Sequence, residues 1–213
     1  MNRNYQKELD KLLERLDGEK TRPSLFLHAC CAPCSSYVLE YLSKWFDITV
    51  FYYNPNIFPS EEYKKRVCEL KRLISEMPAC SCVRFEEGPY EPERFFEMAK
   101  GLEDLPEGGE RCFRCYRLRL AQTARRAAEG GYDYFTTTLS ISPHKNAAVL
   151  GEIAGEEGRI WNVNPLPSDF KKKNGFKRST QLSAEYGLYR QDYCGCVFSK
   201  REAQARHAAK GGT

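Results

Sequence analysis

Leu25-Phe-Leu-His-Ala-Cys-Cys-Ala-Pro-Cys-Ser-Ser, residues 25–36, is an apolar run that stops at two adjacent cysteines, Cys30 and Cys31, with Cys34 three positions on. Tyr37-Val-Leu-Glu-Tyr-Leu follows and reads as a helix. A strand, a sharp turn and a helix start make the first unit of an α/β protein, in which ligands collect at the carboxyl ends of the strands. Cys30 and Cys31 fall at that spot. A strand over 24–29 and a helix over 35–44, capped by Ser35 or Ser36, are expected.

The same alternation continues along the chain. Strands are expected at 48–53, 83–87, 132–139 and 159–163. The helices between them begin at Ser60, which carries Glu61 and Glu62 in its first turn as the helix dipole favours, at Pro92, near Cys112 and after Asn146. Such a pattern predicts a mostly parallel sheet flanked by helices. We read residues 1–213 as a single α/β domain. Residues 1–22 form a helical extension with Tyr5, Leu9, Leu12, Leu13 and Leu16 on one face. Residues 168–178 form a basic connector, 179–188 a helix, and a polar helix follows Tyr193-Cys-Gly-Cys-Val-Phe-Ser.

A chain of 213 residues, 41% apolar and 29% charged, is ordinary for a globular domain with a full core. No apolar run approaches the ~20 residues that span a bilayer, and the first residues carry no apolar leader, so a cytoplasmic location is expected. In a reducing compartment, clustered cysteines signal metal or redox chemistry rather than a disulfide framework, and this chain has ten. The net charge of +4 permits an anionic partner without requiring one.

Three cysteine groups carry the chemistry: Cys30-Cys31, Cys112-x-x-Cys115 and Cys194-x-Cys196. The second opens a helix, where a spacing of three puts both thiols on one face and the positive helix end favours thiolate. Four such sulfurs suit tetrahedral zinc or an iron–sulfur cluster. Adjacent cysteines chelate one small ion awkwardly, so the spacing leans towards the cluster. Cys194-Gly-Cys196 suits a strained, reducible disulfide; two buried thiols or two further ligands are the other readings. Cys68, inside a helix, reads as a buried thiol, and Cys80 and Cys82 as structural. His28 reads as a packed histidine or a catalytic one, His144 as a group that meets an anion or substrate, and His207 as solvated. Lys171, Lys172, Lys173, Lys177 and Arg178, interleaved with Phe170 and Phe176, suit phosphate contacts and base stacking, as a solvated face would also look. Arg117, Arg119, Arg125 and Arg126 add charge along the C-x-x-C helix.

The chain resembles the QueH-type epoxyqueuosine reductases. The resemblance rests on His28-Ala-Cys-Cys-Ala-Pro-Cys, Phe51-Tyr-Tyr-Asn-Pro-Asn-Ile, Arg111-Cys-Phe-Arg-Cys-Tyr, Phe135-Thr-Thr-Thr-Leu, Ser142-Pro-His-Lys-Asn, Asp169-Phe-Lys-Lys-Lys-Asn-Gly, and Leu188-Tyr-Arg-Gln-Asp-Tyr-Cys-Gly-Cys-Val-Phe-Ser, in that order. It implies an α/β fold related to the adenine-nucleotide hydrolases (Rossmann-like) and reduction of the epoxide of epoxyqueuosine to queuosine in the tRNA anticodon. It also implies a [4Fe-4S] cluster, with an adjacent iron in some members. By position, Cys30, Cys31, Cys112 and Cys115 match the cluster cysteines, and Cys194 and Cys196 the redox pair. Cys34 is left as a candidate ligand of the second metal.

The resemblance implies an oxidoreductase acting on the anticodon stem-loop, with an electron donor that the sequence does not identify. Tyr193, Asp192 and His28 are candidate acids, and Phe170 or Phe176 a stacking ring. Two other classes are weighed. A tRNA sulfur-transfer or ATP-pyrophosphatase enzyme needs a glycine- and serine-rich phosphate loop where Cys-Cys-Ala-Pro-Cys stands. A non-catalytic, zinc-stabilised RNA-binding module needs zinc alone.

Overall fold

The computed structural model describes residues 3–211. Among these, five strands form one all-parallel sheet in the order β3-β2-β1-β4-β5. β1 (Ser24–His28) sits at its centre, between β2 (Asp47–Tyr52) and β4 (Tyr134–Thr137); β3 (Arg84–Glu87) and β5 (Asn164–Pro165) form the edges. The chain winds outward from β1 to β2 and β3, then returns to the other side of β1 to lay down β4 and β5. The order therefore reverses between β1 and β4, and a crevice opens beyond their carboxyl ends.

The central strands are apolar on both faces because both faces are covered. Alternation sends Leu25 and Leu27 of β1 and Ile48, Val50 and Tyr52 of β2 into one core, with α2 (Ala32–Leu42) and α3 (Ser60–Glu76). Phe26, Phe51 and Phe135 point the other way, into a core shared with α5 (Glu110–Glu129) and α6 (Ala147–Trp161). The expected N-terminal extension is α1 (Tyr5–Glu19), with Asn4 capping it by accepting from the Lys7 amide at 3.1 Å. It is no appendage: Leu9, Leu13 and Leu16 join the first core, and the Tyr5 ring lies so close over Gly151 that a Cβ there would meet it at 2.2 Å.

Four boundaries differ from expectation. The strand expected over 132–139 is confined to Tyr134–Thr137, and Thr138–Ile141 form a 3-10 helix whose start is held by the Thr137 hydroxyl accepting from the Leu139 amide. α2 starts at Ala32 rather than residue 35, with Pro33 in its first turn, where a missing amide costs nothing. Ser35 and Ser36 are consequently inside the helix and donate back to the carbonyls of Cys31 and Pro33, at 2.8 and 3.0 Å, instead of capping it. The expected strand at 159–163 is the end of α6. Asn162 turns left-handed at φ +52, and the Val163 amide closes back on the Gly158 carbonyl at 3.0 Å, so the strand begins only at Asn164. The basic connector ends early: Asn174, at φ +60, starts α7 (Gly175–Glu185), which takes in Lys177 and Arg178. Gly175 is required there, since a Cβ would lie 2.0 Å from the Phe170 carbonyl. α4 (Pro92–Ala99) and the C-terminal helix α8 (Val197–Gly211) complete the fold. No helix among the described residues is long and apolar enough to cross a membrane.

Candidate metal and redox site

Cys30 and Cys31 follow β1 directly, as expected. The early start of α2 makes Cys31 its N-cap residue and puts Cys34 one turn further, on the same side. The sulfurs of Cys30, Cys31 and Cys34 all lie within 4.8 Å of one another, a grouping able to hold a metal ion. The free amides and positive end of α2 lie beside them. Of the three, Cys30 gives up its proton most readily. Hydrogen bonds from the Cys31 and Cys34 thiols pull it well below the usual thiol range, against the cost of burial. For the same reason the Cys31 thiol is pushed up to about 12, and that of Cys34 is raised as well.

Cys112 and Cys115 stand in the first turns of α5. Arg111, 1% exposed, is clamped by the carbonyls of Leu102, Glu103 and Leu105 and by Glu202 of α8, which fixes the turn just before Cys112. The Gly108 amide donates to the Cys112 sulfur at 3.3 Å. Cys112 packs in one cluster with Cys30 and Cys31, while Cys115 packs with Cys196 and Phe198, against which Cys194 also lies. The helix thus joins the two cysteine groups, although its sulfurs stand outside the tight 4.8 Å triad.

Cys194, half-buried, and Cys196, buried, are both free thiols. The Cys196 thiol donates to Cys194, and Lys145, Arg119 and Arg66 surround it with positive charge; together these hold Cys194 well below the usual range. Cys196 is raised in turn by donating, and its sulfur lies 3.3 Å from the Ser199 hydroxyl and amide. Within the pair, Cys194 is thus the group that more readily gives up its proton and Cys196 the one that keeps it. Gly195 between them sits at φ +114, and a Cβ there would meet Ile57 at 2.9 Å and Arg66 at 3.0 Å.

Cys30, Cys31, Cys34 and Cys194 line one cavity of about 600 Å3 at the crevice between β1 and β4. Its cations were not singled out in the sequence as a set. Arg66 and Arg119 are 2% and 1% exposed, and the Nη2 atom of each is buried without a hydrogen-bond partner. Arg66 pairs with Glu62 at 2.7 Å, whereas Arg119 reaches only the Cys115 carbonyl and Asn54. Burial opposes the charge of Arg119, but the neighbouring sulfurs of Cys115, Cys194 and Cys30 outweigh it and raise its pKa. Lys145, bound to Glu107 at 2.9 Å, completes the set. Buried guanidinium groups on the same cavity as clustered thiols would offset the negative charge of a thiolate-ligated metal centre, so the donor set fits such a group.

Several expectations change here. His28 is completely buried away from the cavity: its Nδ1 accepts from Thr137 at 2.8 Å and its Nε2 donates to the Tyr53 carbonyl at 3.1 Å. Burial, reinforced by Arg119, lowers its pKa to about 4, so it is a neutral structural histidine. Phe170 is 1% exposed and cannot stack on a base, because it fills the core under the cavity wall; Phe176 is 39% exposed and lines the cavity. Tyr193, Asp192, His144 and His207 line it too, with His207 held to Asp192 at 2.5 Å. Cys68 is exposed rather than buried, on the outer side of α3; Cys80 is buried, which raises its thiol to about 12, and Cys82 is exposed. Of the basic set, Lys171, Lys173 and Arg178 pair with Asp169, Asp10 and Glu40, while Lys172 and Lys177 project into solvent. Arg117, Arg125 and Arg126 pair with glutamates away from the cavity. Arg190 and Arg206 stand at its mouth instead.

Comparison with known proteins places the chain in a family. A family model described as "Epoxyqueuosine reductase QueH" matches residues 25–202. A protein of that name from Streptococcus pyogenes is 42% identical over 200 residues, covering 93% of this chain and 78% of the relative. One from Staphylococcus epidermidis is also 42% identical over 200 residues, covering 92% and 84%. One from Thermotoga maritima is 34% identical over 188 residues, covering 87% and 94%. With its motifs in order and its cysteines gathered at the crevice of a parallel sheet, the chain belongs to the QueH family.

Proposed function

We propose that the protein is an oxidoreductase that converts epoxyqueuosine to queuosine in tRNA. The epoxide, two electrons and two protons give an alkene and water. The observation that carries this reading is the meeting of Cys30, Cys31, Cys34 and Cys194 on one cavity, walled by buried cations. A [4Fe-4S] cluster on Cys30, Cys31, Cys112 and Cys115, with Cys34 available to an adjacent iron, is our assignment of the metal. When bound, such a centre supplies single electrons and a Lewis-acidic iron.

The chain's own residues do the rest. Cys194 and Cys196 hold the electron pair: passing from thiolate and thiol to disulfide releases two electrons and one proton, and the second proton comes from Tyr193. Arg119, Arg66 and Lys145 keep Cys194 as thiolate. Tyr193, whose pKa is raised chiefly by burial, keeps its phenolic proton and faces the cavity, where it donates to the departing oxygen. Phe176 offers a ring for the modified base to stack on. Lys172, Lys177, Arg190 and Arg206 meet the phosphates of the anticodon stem-loop, with Lys171, Lys173 and Arg178 exchanging their surface partners for RNA.

The test is anaerobic purification with iron and sulfide counts, then turnover of epoxyqueuosine-containing tRNA with dithionite. Queuosine formation by iron- and sulfide-loaded protein is the expected result. Loaded protein that leaves the epoxide intact would refute the proposal.

A further inference from the structure

A second groove, of about 700 Å3, runs between α4, α5 and α6 and shares no lining residue with the cysteine cavity. Arg94, Arg114, Arg117 and Arg125 line it against one carboxylate, Glu157, with Met98, Leu118 and Trp161 among them. Trp161 is 37% exposed although it is large and apolar. Arginine, methionine and tryptophan are the residues enriched where proteins meet proteins, and Trp and Arg are frequent hot spots.

What lies under this groove gives it meaning. Met98 and Leu118 line it and also pack on the cluster of Cys115, Cys196 and Phe198, the cluster on which Cys194 rests. Cys194 faces the substrate cavity from that cluster, and Met98 and Leu118 of the groove pack on the same cluster. Granting the function proposed above, bound tRNA covers the cavity mouth, and a face behind the cysteine cluster lets electrons reach it whether or not tRNA is bound.

We propose that this groove is the docking site of a small one-electron carrier protein that presents carboxylates around its redox centre. Two reduced carriers each give up one electron through the Met98–Leu118 side. With two protons, the epoxide becomes alkene and water, and two oxidised carriers depart. The groove arginines are already held by carboxylates of their own surface: Arg117 by Glu156 and the buried Glu157 at 2.5 and 3.0 Å, and, in exposed pairs, Arg94 by Glu91 at 3.2 Å, Arg114 by Glu110 at 2.9 Å and Arg125 by Glu129 at 3.3 Å. Exposed pairs of this kind contribute about 0–1 kcal/mol, so a partner's carboxylates replace them at little cost. Met98, Leu118 and Trp161 among the arginines favour a protein with a few acidic groups set among apolar ones over a continuous phosphate backbone.

The test compares wild type with the double variant Arg94→Glu/Arg114→Glu, both carrying metal. Turnover is driven either by dithionite or by a reduced plant-type [2Fe–2S] ferredoxin. In parallel, oxidised ferredoxin is titrated against Trp161 emission in a Trp45→Phe background. We expect ferredoxin-driven turnover to fall at least tenfold in the variant, dithionite-driven turnover to stay the same, and the Trp161 response to disappear. Equal ferredoxin-driven rates in the two proteins, an equal fall with both reductants, or no Trp161 response in wild type would overturn the proposal. A raised KM for tRNA would assign the groove to RNA. If dithionite drives no turnover in wild type, the reductase reading fails, while the Trp161 titration still decides the docking site.

Discussion

Replacing Arg119 with methionine separates its service to a metal centre from its service to the fold. The guanidinium is 1% exposed, has no carboxylate partner, and lies beside Cys115, Cys194 and Cys30. In metal-free protein a thiolate that loses this cation simply takes up a proton, and the methionine fills much of the same space. Buried charge replaced by apolar side chain is neutral or stabilising by about 1–4 kcal/mol. A metal-bound sulfur has no such escape. Removing one partner of a buried charge pair costs about 3–5 kcal/mol, which is roughly two to three and a half orders of magnitude in metal affinity. Urea unfolding of the metal-free protein and iron retention against a chelator read the two effects independently. Arg119→Met should leave the urea midpoint unchanged or raised and should release iron far faster, while Arg119→Lys, which keeps the charge, should release it more slowly than the methionine variant. A midpoint lowered by the same free energy in metal-free and loaded protein would refute the reasoning, because Arg119 would then be serving packing alone.

Three further outcomes are expected. Cys194→Ser should keep the iron and sulfide content of wild type yet lose at least a hundredfold in turnover, since a hydroxyl cannot cycle to a disulfide; loss of metal in step with activity would instead make Cys194 a ligand. Gly195→Ala forces a side chain onto a φ of +114 and into Ile57 and Arg66, which should lower stability by about 1–3 kcal/mol in a denaturant titration; an unchanged midpoint would mean the turn is not held as described. Glu69 accepts from Arg72 at 2.9 Å and from the Tyr189 amide at 2.7 Å, tying the segment before Cys194 to α3. The Arg72 bond, more than any other contact, holds its carboxyl below the ordinary 4.5. A depressed acid stabilises the fold above the unfolded-state value and loses that contribution as pH falls below about 4.5. Amide exchange at residues 186–196 should therefore accelerate on acidification, relative to exchange in the core strands, and Glu69→Gln should flatten that acid limb; identical limbs would count against the tie.

What the sequence made legible follows from which signals are local. The strand ending at Cys30-Cys31 is a short-range pattern, and so is the C-x-x-C at a helix start; both stand where the periodicity puts them. Phe170 and Phe176 look alike in sequence, and only the turn at Asn174 decides that one is core and the other cavity wall. The buried cations show the same limit. Arg66 and Arg119 lie on helices dense with charge, and arginine is almost never fully buried unless paired, so each reads as part of a solvated face. Apart from Cys115, one turn before Arg119 on α5, the thiols they face come from the turn after β1 and from the C-terminal turn, far away in the chain. Even with the family resemblance supplying the cysteine assignments, nothing local marks these two arginines as interior.

The crevice of an open parallel sheet, beside a helix N-terminus, ordinarily suits phosphate because unpaired amides and the helix dipole favour an anion there. Here the same field acts on sulfur. Cys31 is the N-cap residue of α2, Cys34 lies one turn on, and Cys30 is held below the usual thiol range. A glycine-rich loop would let the backbone close around a phosphate; Cys-Cys-Ala-Pro-Cys fills that space with thiols and places Pro33 in the first turn. Arg66 and Arg119 then extend the positive field to the far side of the sulfurs. Exchanging phosphate for metal-bound thiolate at this position therefore needs no change in the sheet, only side chains that carry the negative charge themselves.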